Sequence, residues 1–253
     1  MKLIVCGKGG CGKSTISALL AMKFSSLGYR VLLIDADESN FGLHRMVGIP
    51  TPVHIMDSLG GKKGFKEKIN KPFPDTDRPF SRKLKIDELP EDCVQESGGI
   101  KLAVIGKVHG FGEGCACPMG LLSRMVLASL IIEKNDMVII DTEAGTEHFG
   151  RQVDAECDLI IGVIDPTYES ILLAEKMEGM AKSAGKDIVY VLNKTGEQII
   201  DDMTKQMDPQ KVWAAIPQNE DVFTKNLKGD MLELTVPEID RFCHKIQETG
   251  GLL

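Results

Sequence analysis

The sequence predicts a doubly wound α/β fold, a mostly parallel sheet of about seven or eight strands with helices on both faces. Three observations predict it. Short β-rich apolar runs recur along the 253 residues, a glycine-rich turn separates the first run from a helix-periodic stretch, and strand-like and helix-like segments then alternate. Runs that are apolar on both faces suit a parallel sheet covered by helices, because neither face meets water.

The strands are expected at 3–6, 31–34, 102–105, 137–140, 159–164 and 188–192, with a shorter run at 212–216 stopped by Pro217. Ile16, Leu19, Leu20, Phe24 and Leu27 recur at helical spacing after the glycine turn, and Gly28 ends that pattern. Leu121, Leu122, Met125, Val126, Leu130 and Ile131 predict a second helix, opened by Pro118 and continuing through Ile132. Residues 171–184 and 236–246 are further helices. The segment 60–99 differs from its surroundings, being rich in proline and in charges of both signs. The expectation is one domain over 1–253, with 60–99 an irregular or part-helical insertion on a sheet edge.

A formal net charge of −7 and few aromatics argue against nucleic-acid partners, since the bulk field repels phosphate backbones. No run approaches a membrane span, and the apolar start is too short for a secretory signal core, so a cytoplasmic protein without membrane partners is expected. Seven cysteines, odd in number and scattered, favour free thiols or a metal site over a disulfide framework.

Gly7-x4-Gly12-Lys13-Ser14 sits between the first strand and the first helix, the context that a phosphate-gripping loop requires. Gly9, Gly10, Cys11 and Gly12 let successive backbone N–H groups converge on one anion, and the helix start adds its unpaired N–H groups. Lys13 then lies along the β- and γ-phosphates of ATP or ADP, Ser14 ligates Mg2+, and Thr15 suits the α-phosphate. Two further strands end in acid: Asp35 and Asp37 after the second, Asp141 after the fourth.

Lys8 makes the loop Lys-Gly-Gly-x-Gly-Lys-Ser, which resembles the deviant Walker A motif of the MinD, ParA and nitrogenase-iron-protein family of P-loop ATPases. The resemblance implies a homodimer in which Lys8 reaches the partner's nucleotide. It implies that Asp37 positions the attacking water, that Asp35 supports Mg2+ through water and that Asp141 lies near the Mg2+ shell. Gly145, in the Asp-x3-Gly of a second switch, would place its N–H on the γ-phosphate. Asn193-Lys194 would match the family's Asn-Lys at the nucleotide, with Asn193 reading the adenine edge and Pro217 on the loop at the other side of the base.

Cys115-Ala116-Cys117-Pro118 opens the second predicted helix, placing Cys117 near its N-cap, where a thiolate is favoured. Two sulfurs are half of a four-thiolate site, and a two-fold dimer supplies the other half. By themselves the two cysteines fit incidental thiols equally well. The ordered matches from Lys8 through Cys115-x-Cys117, Asp141-x2-Ala144-Gly145-x-Glu147-His148 and Val163-Ile164-x-Pro166 to Asn193-Lys194 and Ile216-Pro217 resemble the CooC-type ATPases that assist nickel insertion. That resemblance implies ATP hydrolysis in a homodimer bridged by nucleotide and metal, with Ni2+ as cargo and carbon monoxide dehydrogenase as client. Zn2+ fits the same thiolates. Two alternatives stay open at this point: an iron–sulfur ATPase of the nitrogenase-iron-protein type, and a MinD- or ParA-like positioning ATPase.

Overall fold

A computed structural model describes residues 1–70, 79–108 and 117–250. β1 (Lys2–Gly7), β2 (Arg30–Ala36), β3 (Val94–Ser97), β4 (Ile100–Val104), β5 (Asp136–Thr142), β6 (Leu159–Ile164), β7 (Ile188–Thr195) and β8 (Val212–Pro217) form one sheet. Their spatial order is β3-β4-β2-β5-β1-β6-β7-β8, and each neighbouring pair is parallel except β3 with β4. The doubly wound sheet is therefore present, and the seven apolar runs are its seven parallel strands.

β3 escaped the sequence reading because Val-Gln-Glu-Ser is short and mostly exposed. It folds back on β4 through Gly98 and Gly99, both at positive φ, as a two-residue hairpin turn demands. An exposed polar strand at a sheet edge carries no apolar run to betray it.

Each central strand feeds two cores by simple alternation. Ile4 and Cys6 of β1 and Leu32 and Ile34 of β2 face one, while Leu3, Val5, Val31 and Leu33 face the other. The described residues also form the helices α1 (Lys13–Ser26), α2 (Leu43–Met46), α3 (Ile55–Ser58), α4 (Gly61–Ile69), α5 (Cys117–Ser129), α6 (Glu147–Gly150), α7 (Tyr168–Ser183) and α8 (Glu197–Thr204) between strands, with α9 (Glu220–Lys228) and α10 (Pro237–Gly250) after the last. Ile16, Leu20 and Phe24 of α1 join Ile239, Phe242 and Ile246 of α10 in one core. Leu122 and Val126 of α5 join Ala174 and Met177 of α7 in the other.

α5 stops at Ser129, short of the expected Ile132. The backbone there turns to a competing partner: Leu84 N–H donates to Ser129 O at 2.8 Å, and Ile131 N–H donates to Leu84 O at 2.8 Å. Within 60–99 the described residues hold α4, two 3-10 turns at Ile86–Glu88 and Glu91–Cys93, and β3. Among the described residues, no helix is long and apolar enough to cross a membrane.

Because β5 lies between β1 and β2, the carboxyl ends of three strands stand side by side. These strand ends and the segments that leave them carry the predicted phosphate and Mg2+ residues, from Lys8 to Thr15, Asp35, Asp37, Asp141 and Gly145, at the end of the sheet where such folds bind ligands.

Candidate nucleotide-binding site

The loop between β1 and α1 is shaped by two glycines that no other residue replaces. Gly12 has φ +104, and a Cβ there would collide with the Asn193 amide. Gly7 has φ +148, and a Cβ there would collide with the Val163 carbonyl on β6. α1 starts at Lys13 with no side-chain cap and no acidic residue in its first turn, which leaves its first N–H groups for an anion. Lys13 is buried, and its ammonium donates to Lys8 O at 3.2 Å across the loop.

Ser14 and Asp141 meet at the mouth of β5. The Ser14 hydroxyl donates to Asp141 Oδ2 at 2.5 Å, and the Ser17 hydroxyl donates to Asp141 Oδ1 at 3.1 Å. Burial pushes the Asp141 carboxyl up to about 6 despite those bonds. Asn40 donates an amide proton to Ser14 Oγ at 2.6 Å.

Asp37 is buried and borders the cavity, with Oδ1 accepting from the Ser39 N–H at 2.9 Å and the Ser39 hydroxyl at 2.6 Å. Asp35 points elsewhere. Its Oδ2 accepts from the buried Lys107 ammonium at 2.7 Å and its Oδ1 accepts from the Asp37 N–H at 3.2 Å. Burial still raises its carboxyl to about 7.

The second switch follows β5. Gly145, at φ +92, donates its N–H to Gly7 O at 3.1 Å, so the residue expected to face a γ-phosphate bridges to the phosphate loop here. Glu143 pairs with Arg151, and its carboxyl is raised to about 7 by burial and by the neighbouring Glu38. His148 is buried with both ring nitrogens lacking a hydrogen-bond partner among the described residues, and burial lowers its pKa to about 3.

At the other end of the cavity, Asn193 donates its amide to Cys11 O at 2.8 Å, and the Lys194 ammonium donates to Gly10 O at 2.7 Å. Asn193, expected at the base edge, and its neighbour Lys194 thus clamp the phosphate loop. A register shift in β7 between Asn193 and Thr195 puts Lys194 at φ +56 and aims both side chains at that loop. Pro217, Gln218, Asn219 and Phe223 continue the wall. Asn226 ties α9 to α1 through Thr15 Oγ1 at 3.2 Å, leaving its own buried Oδ1 without a partner.

The open cavity is about 680 Å³ and is bordered by Gly9, Gly10, Gly12, Lys13, Ser14, Thr15, Asp37, Asn193 and Lys194. That volume, the uncapped helix start and the orphaned Asn226 oxygen fit a nucleotide. Ser14 and Asp141 would hold Mg2+, which supplies charge neutralisation at the phosphates.

Lys8 lies outside the cavity wall. Its ammonium donates to Thr167 Oγ1 at 2.9 Å, with Asp165 at 3.5 Å and Glu169 at 3.6 Å, all in its own chain. Cys117 is exposed at the first residue of α5, while Cys115 lies outside the described residues. Among the described residues, no group of three or more His, Cys, Asp or Glu side chains could hold a metal ion.

Residues 2–232 match the family described as the CobQ/CobB/MinD/ParA nucleotide binding domain. The chain belongs to that family. Its members are ATP-binding P-loop ATPases. This family member is 45% identical over 240 residues to an uncharacterised ATP-binding protein of Methanocaldococcus jannaschii, covering 94% of this chain and 96% of that protein. It is 35% identical over 201 residues to the carbon monoxide dehydrogenase accessory protein CooC of Rhodospirillum rubrum, covering 79% and 76% of the two chains. The septum site-determining protein MinD of Pyrococcus horikoshii, solved with Mg-ADP, has the same fold, with a TM-score of 0.71 at 19% identity over 99% of this chain and 97% of that one.

Sequence reading missed Lys107, Asn40, Asn226 and the Glu38–Glu143–Arg151 group. Lys107, Asn40 and Asn226 act through partners 72, 26 and 211 residues away, which no local motif marks, whereas Arg151 meets Glu143 eight residues away.

Proposed function

We propose that this family member is an ATP-hydrolysing homodimer that carries Ni2+ on paired Cys115 and Cys117 thiolates to carbon monoxide dehydrogenase. The observation that carries the metal half is the exposure of Cys117 at the first turn of α5. Cys6, Cys11, Cys157 and Cys243 are buried instead, and burial raises their thiol pKa values, which disfavours the thiolate a metal needs. The similarity to a carbon monoxide dehydrogenase accessory protein supports the choice of client.

In this reading the backbone N–H groups of 9–13 and the Lys13 ammonium take the phosphates of ATP. Ser14 Oγ would offer a lone pair to Mg2+ while its hydroxyl goes on donating to Asp141, with Asn40 giving way. Asp37 orients the attacking water, and Asp35 backs the Mg2+ shell only indirectly because Lys107 engages it. Lys8 leaves Thr167 and neutralises charge on the partner's nucleotide. Gly145 exchanges its bond to Gly7 for the γ-phosphate, so a lost phosphate becomes a moved loop. Asn193, Lys194 and Pro217 border the base. Two Cys115/Cys117 pairs then share one metal across the two-fold axis.

Metal titration with mass measurement in solution tests this. One Ni2+ per dimer is expected, lost in Cys115→Ser/Cys117→Ser; unchanged stoichiometry in that variant sinks the shared site. A brown, iron-containing protein after anaerobic purification would favour the iron–sulfur alternative, and ATP-dependent binding to anionic vesicles or DNA the positioning one.

A further inference from the structure

The β2 ladder ends at Ala36, paired with Thr142, so Asp37 begins a loop that the sheet no longer holds. Ser39 fixes the Asp37 carboxylate only relative to its own loop. What fixes the loop to the sheet is Lys107, three residues beyond the end of β4. Its ammonium donates to Asp37 O at 2.5 Å and to Asp35 Oδ2 at 2.7 Å. Both ion-paired side chains are almost wholly buried, at 4% and 5% exposure. The same ammonium stands 5.8 Å from the centre of the Phe41 ring, further along the loop. The next residue adds one bond, Val108 N–H to Glu38 O at 3.1 Å.

A buried ion pair is a poor way to stabilise a fold, because well-packed apolar residues of similar volume serve at least as well. An apolar side chain at this position would leave the Asp37 carbonyl without its donor, and the carboxylate on the same residue would lose its fixed height above the cavity. We propose that Lys107 is a positioning residue for ATP hydrolysis: it holds the main chain of Asp37 so that the Asp37 carboxylate faces the nucleotide cavity, with Asp35 as its counter-ion. This rests on the hydrolytic role given to Asp37 above.

The test compares steady-state ATPase rates with the affinity for a non-hydrolysable ATP analogue in purified full-length variants. Lys107→Met leaves Asp35 buried and unpaired and so endangers folding; Asp35→Asn/Lys107→Met is neutral and keeps the test available. In the double variant kcat is expected to fall about 100-fold, the usual consequence of misplacing a reacting group by an ångström. Analogue affinity is expected to stay within about twofold, since Lys107 does not line the cavity. Lys107→Arg, which keeps the charge and a donor, is expected to recover most of kcat. A double variant with wild-type kcat overturns the proposal, and so does one in which kcat and analogue affinity collapse together. A wild-type chain that turns over no ATP refutes the hydrolytic reading itself, before any variant is compared.

Discussion

His148 shows how strongly one buried side chain can feel its surroundings. With no partner on either ring nitrogen among the described residues it stays neutral in the fold, and its pKa is held at about 3 against 6.5 for a free imidazole. As pH falls below 6.5 the unfolded chain gains a proton that the folded chain refuses, so the residue's contribution to stability declines with falling pH. Asp35 and Asp141 act in the opposite sense. Burial raises both carboxyls, so their contribution is complete below the ordinary carboxylate range and is lost as pH rises through about 7 and about 6. They are common to wild type and His148→Phe and cancel between them. Relative to that variant, wild type should therefore lose roughly 1.4 kcal/mol per pH unit below pH 6.5. Urea unfolding of both proteins at several pH values checks this, and parallel curves would contradict it.

At the scale of elements, α5 shows where a local preference meets a tertiary contact. Gly120 lies in its first turns, in a position where alanine would suit a helix better by about 1 kcal/mol. A Cβ there would collide with the Arg151 side chain, which is paired with Glu143 just past β5. Gly120→Ala is therefore expected to destabilise wild type by displacing Arg151. In an Arg151→Ala background the same substitution should stabilise, by up to about 1 kcal/mol. A double-mutant cycle read by chemical denaturation decides it; the same sign in both backgrounds would show that the close approach carries no energy. Phe24, wholly buried beneath the sheet in α1, offers no such ambiguity, because its helical spacing and its core role point the same way.

At the scale of the molecule, the position of Lys8 bears on assembly. Its ammonium is held by Thr167, Asp165 and Glu169 of its own chain, and a reach to a partner must break those bonds. Such partly exposed contacts are weak, so they fix a resting place without forbidding release. Lys8→Ala should abolish dimerisation driven by ATP while leaving nucleotide binding to the monomer within about twofold, because Lys8 is outside the cavity wall. Light scattering with and without an ATP analogue measures the first, and calorimetry the second. Dimers persisting in Lys8→Ala would remove the bridging role.

The parts legible in the sequence were those that local geometry dictates. A run such as Leu3-Ile4-Val5-Cys6 must be covered on both faces, and Gly7-x4-Gly12-Lys13-Ser14 must turn its amides inward, whatever the rest of the chain does. The parts that only the tertiary structure decided are pairings across long separations in the chain. Lys107 meets Asp35 72 residues away, Asn193 meets Cys11 182 residues away, and Ser14 meets Asp141 127 residues away. No spacing or periodicity encodes such contacts, since they arise only from the sheet order, which sets β4 beside β2, β5 beside β1, and β7 across β6 from β1. The sequence by itself thus determined a parallel sheet with a phosphate-gripping loop. The fold decided which distant side chains hold that loop and its neighbouring carboxylates in place, because desolvation favours pairing each buried polar group with a partner that the chain brings near, the His148 ring and Asn226 Oδ1 being exceptions among the described residues.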